Sequence, residues 1–356
     1  MNINVLNKKR GTVKKQTEYL IIGGGIAGSL LTWHLLNAGK EALLVDHPER
    51  CSATRVAGGM INPITGKRLV LSWRMADWTR YNTQFYPALE KALGISFYSP
   101  LIIRRIFKNA AQANDWLIRQ NDPAYRPFIE EHAAALPEYI HAPHGAAAIR
   151  HGAGIQSVKL LDGLYRYFGE RLIRAKVDYA DIHIATDHVD VAGIRCARVV
   201  FCEGWHGMYN PWFRYLPFHP SKGDALTLDG EMDLKEALAF GVFLLPQGGG
   251  YRCGSTYIWD DLTCRALPET VRFLTEQVQR FVKVPLRLTA HKAGVRPTVK
   301  HRRPFLGRHP REKRLWIFNG LGTKGLSLAP LLAESLMRYM TQDAPLDPET
   351  DIARFG

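Results

Sequence analysis

The sequence predicts an α/β fold in two parts: a parallel sheet built to hold a nucleotide, and a second, mainly antiparallel β domain that covers it. Three observations predict it. A strand, a glycine-rich turn, a helix and another strand follow one another within residues 17–46. A second glycine-rich helix entrance stands near the chain end, at Gly320, Gly322 and Gly325. Between them, residues 217–259 read as short strands separated by glycines.

The first stretch, TEYLIIGGGIAGSLLTWHLLNAGKEALLVD, opens with an apolar run suited to a buried parallel strand. Gly23, Gly25 and Gly28 follow at G-x-G-x-x-G spacing. Gly23 permits the tight turn, Gly25 lets the backbone approach a pyrophosphate, and Gly28 lets the helix pack closely on the strand. Phosphates then face unpaired N–H groups at a helix N-terminus. Asp46, ending the next strand, is placed to bind ribose hydroxyls.

With 356 residues, 46% of them hydrophobic, the chain can bury a large core, and its length suggests two domains. No apolar run approaches the roughly 18 to 20 residues needed to span a bilayer. Residues 1–16 are basic without an apolar core and read as a flexible leader rather than a signal peptide, which points to the cytoplasm. Five cysteines, an odd number with no C-x-x-C pair, read as reduced thiols, and no metal set is assigned. The formal charge of +14 suits a nucleic acid, an acidic ligand or merely a basic surface; Lys8, Lys9, Arg10, Lys14 and Lys15 supply five of those charges.

After Asp46, Thr54 and Arg55 are placed to meet phosphate, and Gly58 and Gly59 leave room for a flat ring. Trp78, Tyr81, Phe85 and Leu89 recur at helical spacing, with Gly94 as the stop. Ser157 caps a helix carrying Leu161, Leu164, Tyr165, Phe168 and Leu172 on one face. Strands are expected near 176–179 and 182–186, and a buried one at 197–202 beside the first. One dinucleotide end needs one glycine-rich entrance, so a second suggests that the far end of a long cofactor, FAD rather than a nicotinamide, is held there.

These residues resemble the FAD-dependent D-amino-acid oxidase, glycine oxidase and sarcosine oxidase superfamily, with its glutathione-reductase-type Rossmann domain. G-G-G-I-A-G with Asp46, A-T-R-V-A-G-G-M, V-V-F-C-E-G-W, P-S-K-G-D-A-L, G-V-R-P and G-L-G-T-K-G-L-S-L-A-P fall in that family's order. The resemblance implies an FAD-binding domain over 17–75, 150–215 and 295–356, and a substrate domain over 76–149 and 216–294. It lays Gly58, Gly59 and Met60 along the flavin ring, Val177 beside adenine, and Gly204 and Trp205 near the pyrophosphate. It makes Gly322, Thr323, Lys324, Gly325 and Leu326 flavin contacts, with Lys324 adding positive charge at that edge. Glu203 stands where relatives carry a small residue, a departure that bears on local packing. Because residues 298–315 contain no cysteine, the FAD is expected to be non-covalent.

The implied activity is oxidation of the C–N bond of a small amino acid or secondary amine by hydride transfer to flavin N5. No single residue is assigned as catalytic. Arg296 in G-V-R-P matches the family's carboxylate-binding arginine, and Tyr251 and Tyr257 are candidate pocket walls. The closing G-L-G-T-K-G-L-S-L-A-P also looks like the FAD domain of a bifunctional tRNA wobble-uridine modification enzyme, which makes tRNA the second-choice partner. A non-catalytic flavin-binding protein is the third reading. The substrate, the electron acceptor and the oligomeric state are not legible in the sequence.

Overall fold

Lys15–Ile22 is the middle strand of a sheet ordered Phe305–Arg308, Leu315–Asn319, Ile194–Phe201, Lys15–Ile22, Ala42–Asp46, Leu172–Arg174. All neighbours are parallel except the Phe305–Arg308 edge. Val189–Val191 and Ile182–Ile184 extend it as antiparallel strands off Ile194–Phe201. This computed structural model describes residues 15–356. The leader expected over 1–16 lies largely outside them, and it ends earlier than expected: Lys15 and Gln16 already pair with Ile194 and Arg195.

The chain divides into two units. The first comprises the residues up to Arg55, Val158–Ser221 and Val295–Gly356; the second comprises Val56–Ser157 and Lys222–Gly294. Residues 56–75 and 150–157, expected with the cofactor part, fall in the second unit, and 216–221 fall in the first. The backbone explains the first difference, since Met60 and Ile61 pair with Gly154 and Ala153 in the second sheet.

In the first unit, the chain leaves Lys15–Ile22 toward Ala42–Asp46 on one side, and Ile194–Phe201 lies on the other, so a crevice opens at the strands' C-terminal ends. Gly23 N–H donates to the Val45 carbonyl at 2.8 Å, and Cys202 N–H to the Ile22 carbonyl at 2.7 Å, which pins the turn in that crevice. The helix Ile26–Asn37 follows, buried along nearly its whole length, and Lys40 N–H returns to the Leu35 carbonyl behind left-handed Gly39. Two expectations need correction. The helix begun at Ser157 ends at Phe168, because Gly169 turns left-handed (φ +54°), so Leu172 starts a strand instead of extending the helix face. Residues 176–179 are not a strand; they lead into a 3₁₀ turn at Tyr179–Asp181.

The second unit's sheet runs Arg287–Arg296, Ser221–Asp229, Gly250–Gly254, Val242–Gln247, Ala237–Phe240, Tyr98–Ile106, Ala146–Ile155, Met60–Ile61. The helix Pro268–Gln279 covers one face, where Leu274 and Val278 pack on Leu226, Leu238, Leu244 and Cys253. The helix Met75–Leu93 stops at left-handed Gly94 as expected. Its buried line is Met75, Trp78, Asn82, Tyr86 and Leu89, so Tyr81 and Phe85 flank that face and stack on each other at 5.6 Å. Cys196, Cys202 and Cys253 are buried thiols, while Cys51 and Cys264 are disulfide-bonded, which corrects the expectation of reduced thiols throughout. Chain spacing carries no signal for a bridge set by Cβ geometry.

The glycines of the turn separate packing from ligand space. A Cβ at Gly28 would stand 2.0 Å from the Gly23 carbonyl oxygen, whereas one at Gly25 would meet only Thr54 Oγ1, at 3.5 Å. Gly28→Ala should therefore destabilise the fold by about 1–3 kcal/mol or more. Gly25→Ala should leave the denaturation midpoint nearly unchanged while lowering flavin content. Equal midpoints for the two variants would refute this assignment.

Candidate functional site

The first glycine turn is braced by Asp46. Gly24 N–H donates to Asp46 Oδ1 at 3.0 Å, and the Tyr165 hydroxyl lies 3.0 Å from Oδ2 and 2.6 Å from the Gly24 carbonyl. Arg174 stands 3.6 Å from Oδ2 and stacks over the Tyr165 ring. Burial, then the Asp46 charge, pushes the Tyr165 pKa up, so the phenol stays a donor. Asp46 thus fixes the turn on one side and retains acceptor capacity for a hydroxyl on the other.

Thr54 and Arg55, expected at phosphate, have partners within the protein. Ile26 N–H donates to Thr54 Oγ1 at 3.1 Å, which caps the first helix. Arg55 forms an ion pair with Asp162 at 2.8 Å and lies over the Tyr165 ring. Both residues therefore shape the helix entrance. Val177 packs half-buried against the core of the parallel sheet.

Gly204 is left-handed (φ +60°), and its carbonyl accepts from Asn319 Nδ2 at 2.8 Å. Trp205 packs on His206, and its Nε1 is buried without a partner among the described residues. Glu203, the departure noted in the sequence, is 8% exposed. It accepts from Tyr179 Oη and Asn210 Nδ2, each at 2.9 Å, with Arg50 at 3.6 Å. Burial raises its pKa, and the hydrogen bonds from Asn210 and Tyr179 oppose that rise. Sequence reading flagged the residue but missed its partners, which come from three separate segments.

The second glycine entrance meets the first. The closing helix Gly325–Gln342 begins where a Cβ on Gly325 would stand 3.2 Å from Ile26 Cγ2, so the N-terminal ends of two helices touch. Gly322 N–H donates to the Pro297 carbonyl at 3.1 Å, which fastens the Arg296-Pro297-Thr298 segment to this turn. Thr323 is exposed, Leu326 is buried, and Lys324 caps the helix half-buried. Burial lowers the Lys324 pKa to about 8, with Arg302 adding repulsion.

In the second unit, Gly58 packs under Phe243, with a would-be Cβ 2.1 Å from Cζ. Gly59 is left-handed (φ +88°), and its would-be Cβ lies 2.9 Å from Gln247 Nε2, which is buried without a partner among the described residues. Met60 is in the strand beside Ala146–Ile155. Tyr251 is removed from the candidates: its ring is in the core under Pro268–Gln279, and its hydroxyl donates to the Met232 carbonyl. Tyr257 is exposed and lines a cavity of about 510 Å³ with Lys108, Ser255, Glu269 and Phe273. Lys222 is fully buried and pairs with Asp261 at 2.5 Å, and Asp224 collects hydrogen bonds from Thr256 and Thr270 and stands 2.8 Å from His291 Nε2. The described residues contain no metal-binding cluster.

A parallel sheet with a glycine turn at its switch point, and a second helix entrance set against the first, defines a dinucleotide-binding flavoprotein domain. Residues 18–339 match the FAD dependent oxidoreductase family, and the chain belongs to it. FAD is the cofactor. The first unit fits it: open space in front of Gly25, a ribose-competent Asp46 and the orphaned Trp205 Nε1 are features that a dinucleotide satisfies. The chain is 24% identical to a glycine oxidase of Pseudomonas aeruginosa, covering 92% of this chain and 96% of that one. It is 24% identical to the tRNA 5-methylaminomethyl-2-thiouridine biosynthesis bifunctional protein of Caulobacter vibrioides, covering 95% of this chain but 57% of that longer one. The structure of an iminodiacetate oxidase from Chelativorans superposes with a TM-score of 0.81 at 18% identity, covering 94% and 98% of the two chains.

Lys324 gives a pH prediction. Its folded pKa, about 8, lies below the ordinary lysine value, so between those two the unfolded chain holds a proton that the folded one lacks. Its contribution to stability should therefore rise with pH across that window. In flavin-free protein, Lys324→Met should remove this rise from the melting temperature measured between about pH 7 and 10. Parallel curves for the two proteins would refute the assignment.

Proposed function

We propose that the protein oxidises the C–N bond of a small amino acid or secondary amine, with Arg296 anchoring the substrate carboxylate. The observation that carries this reading is the Gly322–Pro297 hydrogen bond, which holds the arginine segment on the second helix entrance. The relatives whose names describe oxidation of glycine and iminodiacetate support the same reaction class. FAD supplies the hydride acceptor at N5. The protein's task is to hold a neutral amine by one end, and the planar fork of an arginine suits a carboxylate better than a lysine does. The helix N-terminus at Gly325, with Lys324 beside it, offers N–H groups and positive charge where negative charge develops. The cofactor is bound without a covalent link and leaves on acid or heat denaturation. Among the described residues no helix is long and apolar enough to cross a membrane.

Anaerobic mixing with amino acids and N-methyl amino acids, followed by flavin absorbance, tests the reaction class; no bleaching with any amine would refute it. A charged hydrogen bond contributes about 1.5–3 kcal/mol, so Arg296→Met should lower kcat/KM by roughly 10- to 150-fold at full flavin content, with Arg296→Lys in between. Unchanged kinetics in Arg296→Met would remove that residue from the site.

A second reading, oxidation of a modified uridine in tRNA, is favoured by the match of 95% of the chain to the Caulobacter vibrioides protein and by the basic charge. Binding to tRNA should then weaken steeply between about 50 and 200 mM salt. Under the amine reading, tRNA affinity is weak and largely vanishes on removal of residues 1–15. Tight binding that survives that truncation would favour the tRNA reading.

A further inference from the structure

Arg198, Arg308 and Arg314 come from three places in the chain and line one cavity of about 460 Å³, wholly within the first unit. Arg198 is in the strand Ile194–Phe201, Arg308 ends the edge strand Phe305–Arg308, and Arg314 precedes the strand Leu315–Asn319. Tyr339 and Asp343, at the C-terminal end of the helix Gly325–Gln342, form a further wall. That helix starts at the second glycine entrance, and its 18 residues at 1.5 Å each put the far end about 27 Å away. The cavity is therefore separate from the cofactor crevice.

The fold uses the three guanidiniums to different degrees. Arg314 is fixed by backbone carbonyls: Nε and Nη2 donate to Thr186 at 3.1 and 2.6 Å, and Nη1 donates to Ala197 at 3.1 Å. Of its five N–H donors, two remain. Arg198 lies over the Tyr19 ring and donates once, to the Tyr19 hydroxyl at 3.2 Å. The exposed Arg308 guanidinium lies over the Trp316 ring at 5.8 Å and has no hydrogen bond or ion pair among the described residues. Trp316 is itself held edge-on against Tyr339 at 5.4 Å. Stacking on a ring leaves the edge donors of a guanidinium open.

The charges on the walls do not cancel. Lys313 adds a fourth cation; Glu312 and Asp343 supply two carboxylates, and the helix end adds roughly half a negative charge. Among the described residues neither carboxylate forms an ion pair with the arginines. Holding the Thr186 and Ala197 carbonyls accounts for Arg314, and the Tyr19 contact accounts for part of Arg198. Neither accounts for Arg308, nor for the convergence of all three on one cavity. The surplus suits a dianion. A phosphate monoester carries close to two negative charges at pH 7 and three acceptor oxygens, and arginine forks match its geometry. The volume falls in the range of small-molecule sites, which leaves room for an organic body beside Tyr339.

We propose that this cavity is a binding site for a small organic phosphate monoester, distinct from the cofactor site and independent of the amine-oxidase reading. Arg314 and Arg198 offer the donors that the fold leaves them, and Arg308 offers its whole fork.

Calorimetry on the flavin-loaded protein tests it with phenyl phosphate, benzoate and inorganic phosphate. Phenyl phosphate should bind at millimolar concentration or below. Benzoate, with one charge, and inorganic phosphate, with no organic body, should each bind at least about tenfold more weakly. Arg308 is exposed, so Arg308→Met should fold, keep its flavin and lose about tenfold in phenyl phosphate affinity, with Arg308→Lys in between. Lys313→Glu, at a second exposed wall position, should also weaken it, which keeps the test decisive if Arg308→Met does not fold. Wild-type protein that does not bind phenyl phosphate overturns the proposal, as does equal affinity for benzoate or for inorganic phosphate. Binding undiminished in folded Arg308→Met or in Lys313→Glu overturns it too, because the ligand then sits elsewhere.

Discussion

The first unit depends on two helix N-termini brought into contact. Each carries roughly half a positive charge from its aligned peptide dipoles, and like partial charges side by side repel. Gly325 against Ile26 therefore sets up an electrostatic cost that an anion between the entrances would offset. The surrounding residues hold the arrangement in place. Gly28 lets the first helix sit on its strand, Thr54 caps that helix from a separate segment, and the Pro297 carbonyl fixes the second turn through Gly322. The fold is a scaffold for two anion-seeking ends, and a dinucleotide that carries a flavin is long enough and negative enough to satisfy both.

What the sequence made legible follows from the range of each interaction. The glycine turn, the first helix and the strand ending at Asp46 lie within thirty residues and obey local rules, so their place in the fold is legible. Residue type alone suggests Thr54 and Arg55 for phosphate, whereas their partners within the protein, Ile26 and Asp162, are set by tertiary packing that the sequence does not display. Leu172 fits the helical period and still belongs to a strand, because Gly169 ends the helix first. Tyr81 and Phe85 failed similarly: two aromatic residues at helical spacing suggest a core face, yet the buried line runs one position along, through Asn82 and Tyr86.

Glu203 shows how a departure from a family's pattern becomes physically reasonable. A carboxylate at the end of a buried parallel strand would be costly alone. Here Tyr179, Asn210 and Arg50 each present a donor, and the acid becomes a node joining the segment after Val177 to the turn at Gly204. Those donors lie 24 residues before it, 7 residues after it and in the loop that follows Asp46. A residue that looked out of place therefore strengthens the connection between the parts of the first unit expected to hold the cofactor's adenine and pyrophosphate.

The second unit poses the opposite problem, because its informative residue looks ordinary in the sequence. LIIRRIF reads as a strand interrupted by two basic residues, and nothing in that run distinguishes Arg104 from Arg105. Register separates them. Opposite Leu238, Arg104 faces the helix-covered core and finds Glu236; opposite Ala239, Arg105 faces the side of Phe243, donates to the Gly66 carbonyl and has its pKa lowered by burial. A pleated strand converts a one-residue shift into a change of face, so chemistry that is invisible in composition is decided by pairing. The same ladder explains why Tyr251 was misread. Tyrosine in a strand beside a glycine turn resembles a pocket wall, but its place opposite Leu228 puts the ring on the helix side, where its hydroxyl donates to the Met232 carbonyl.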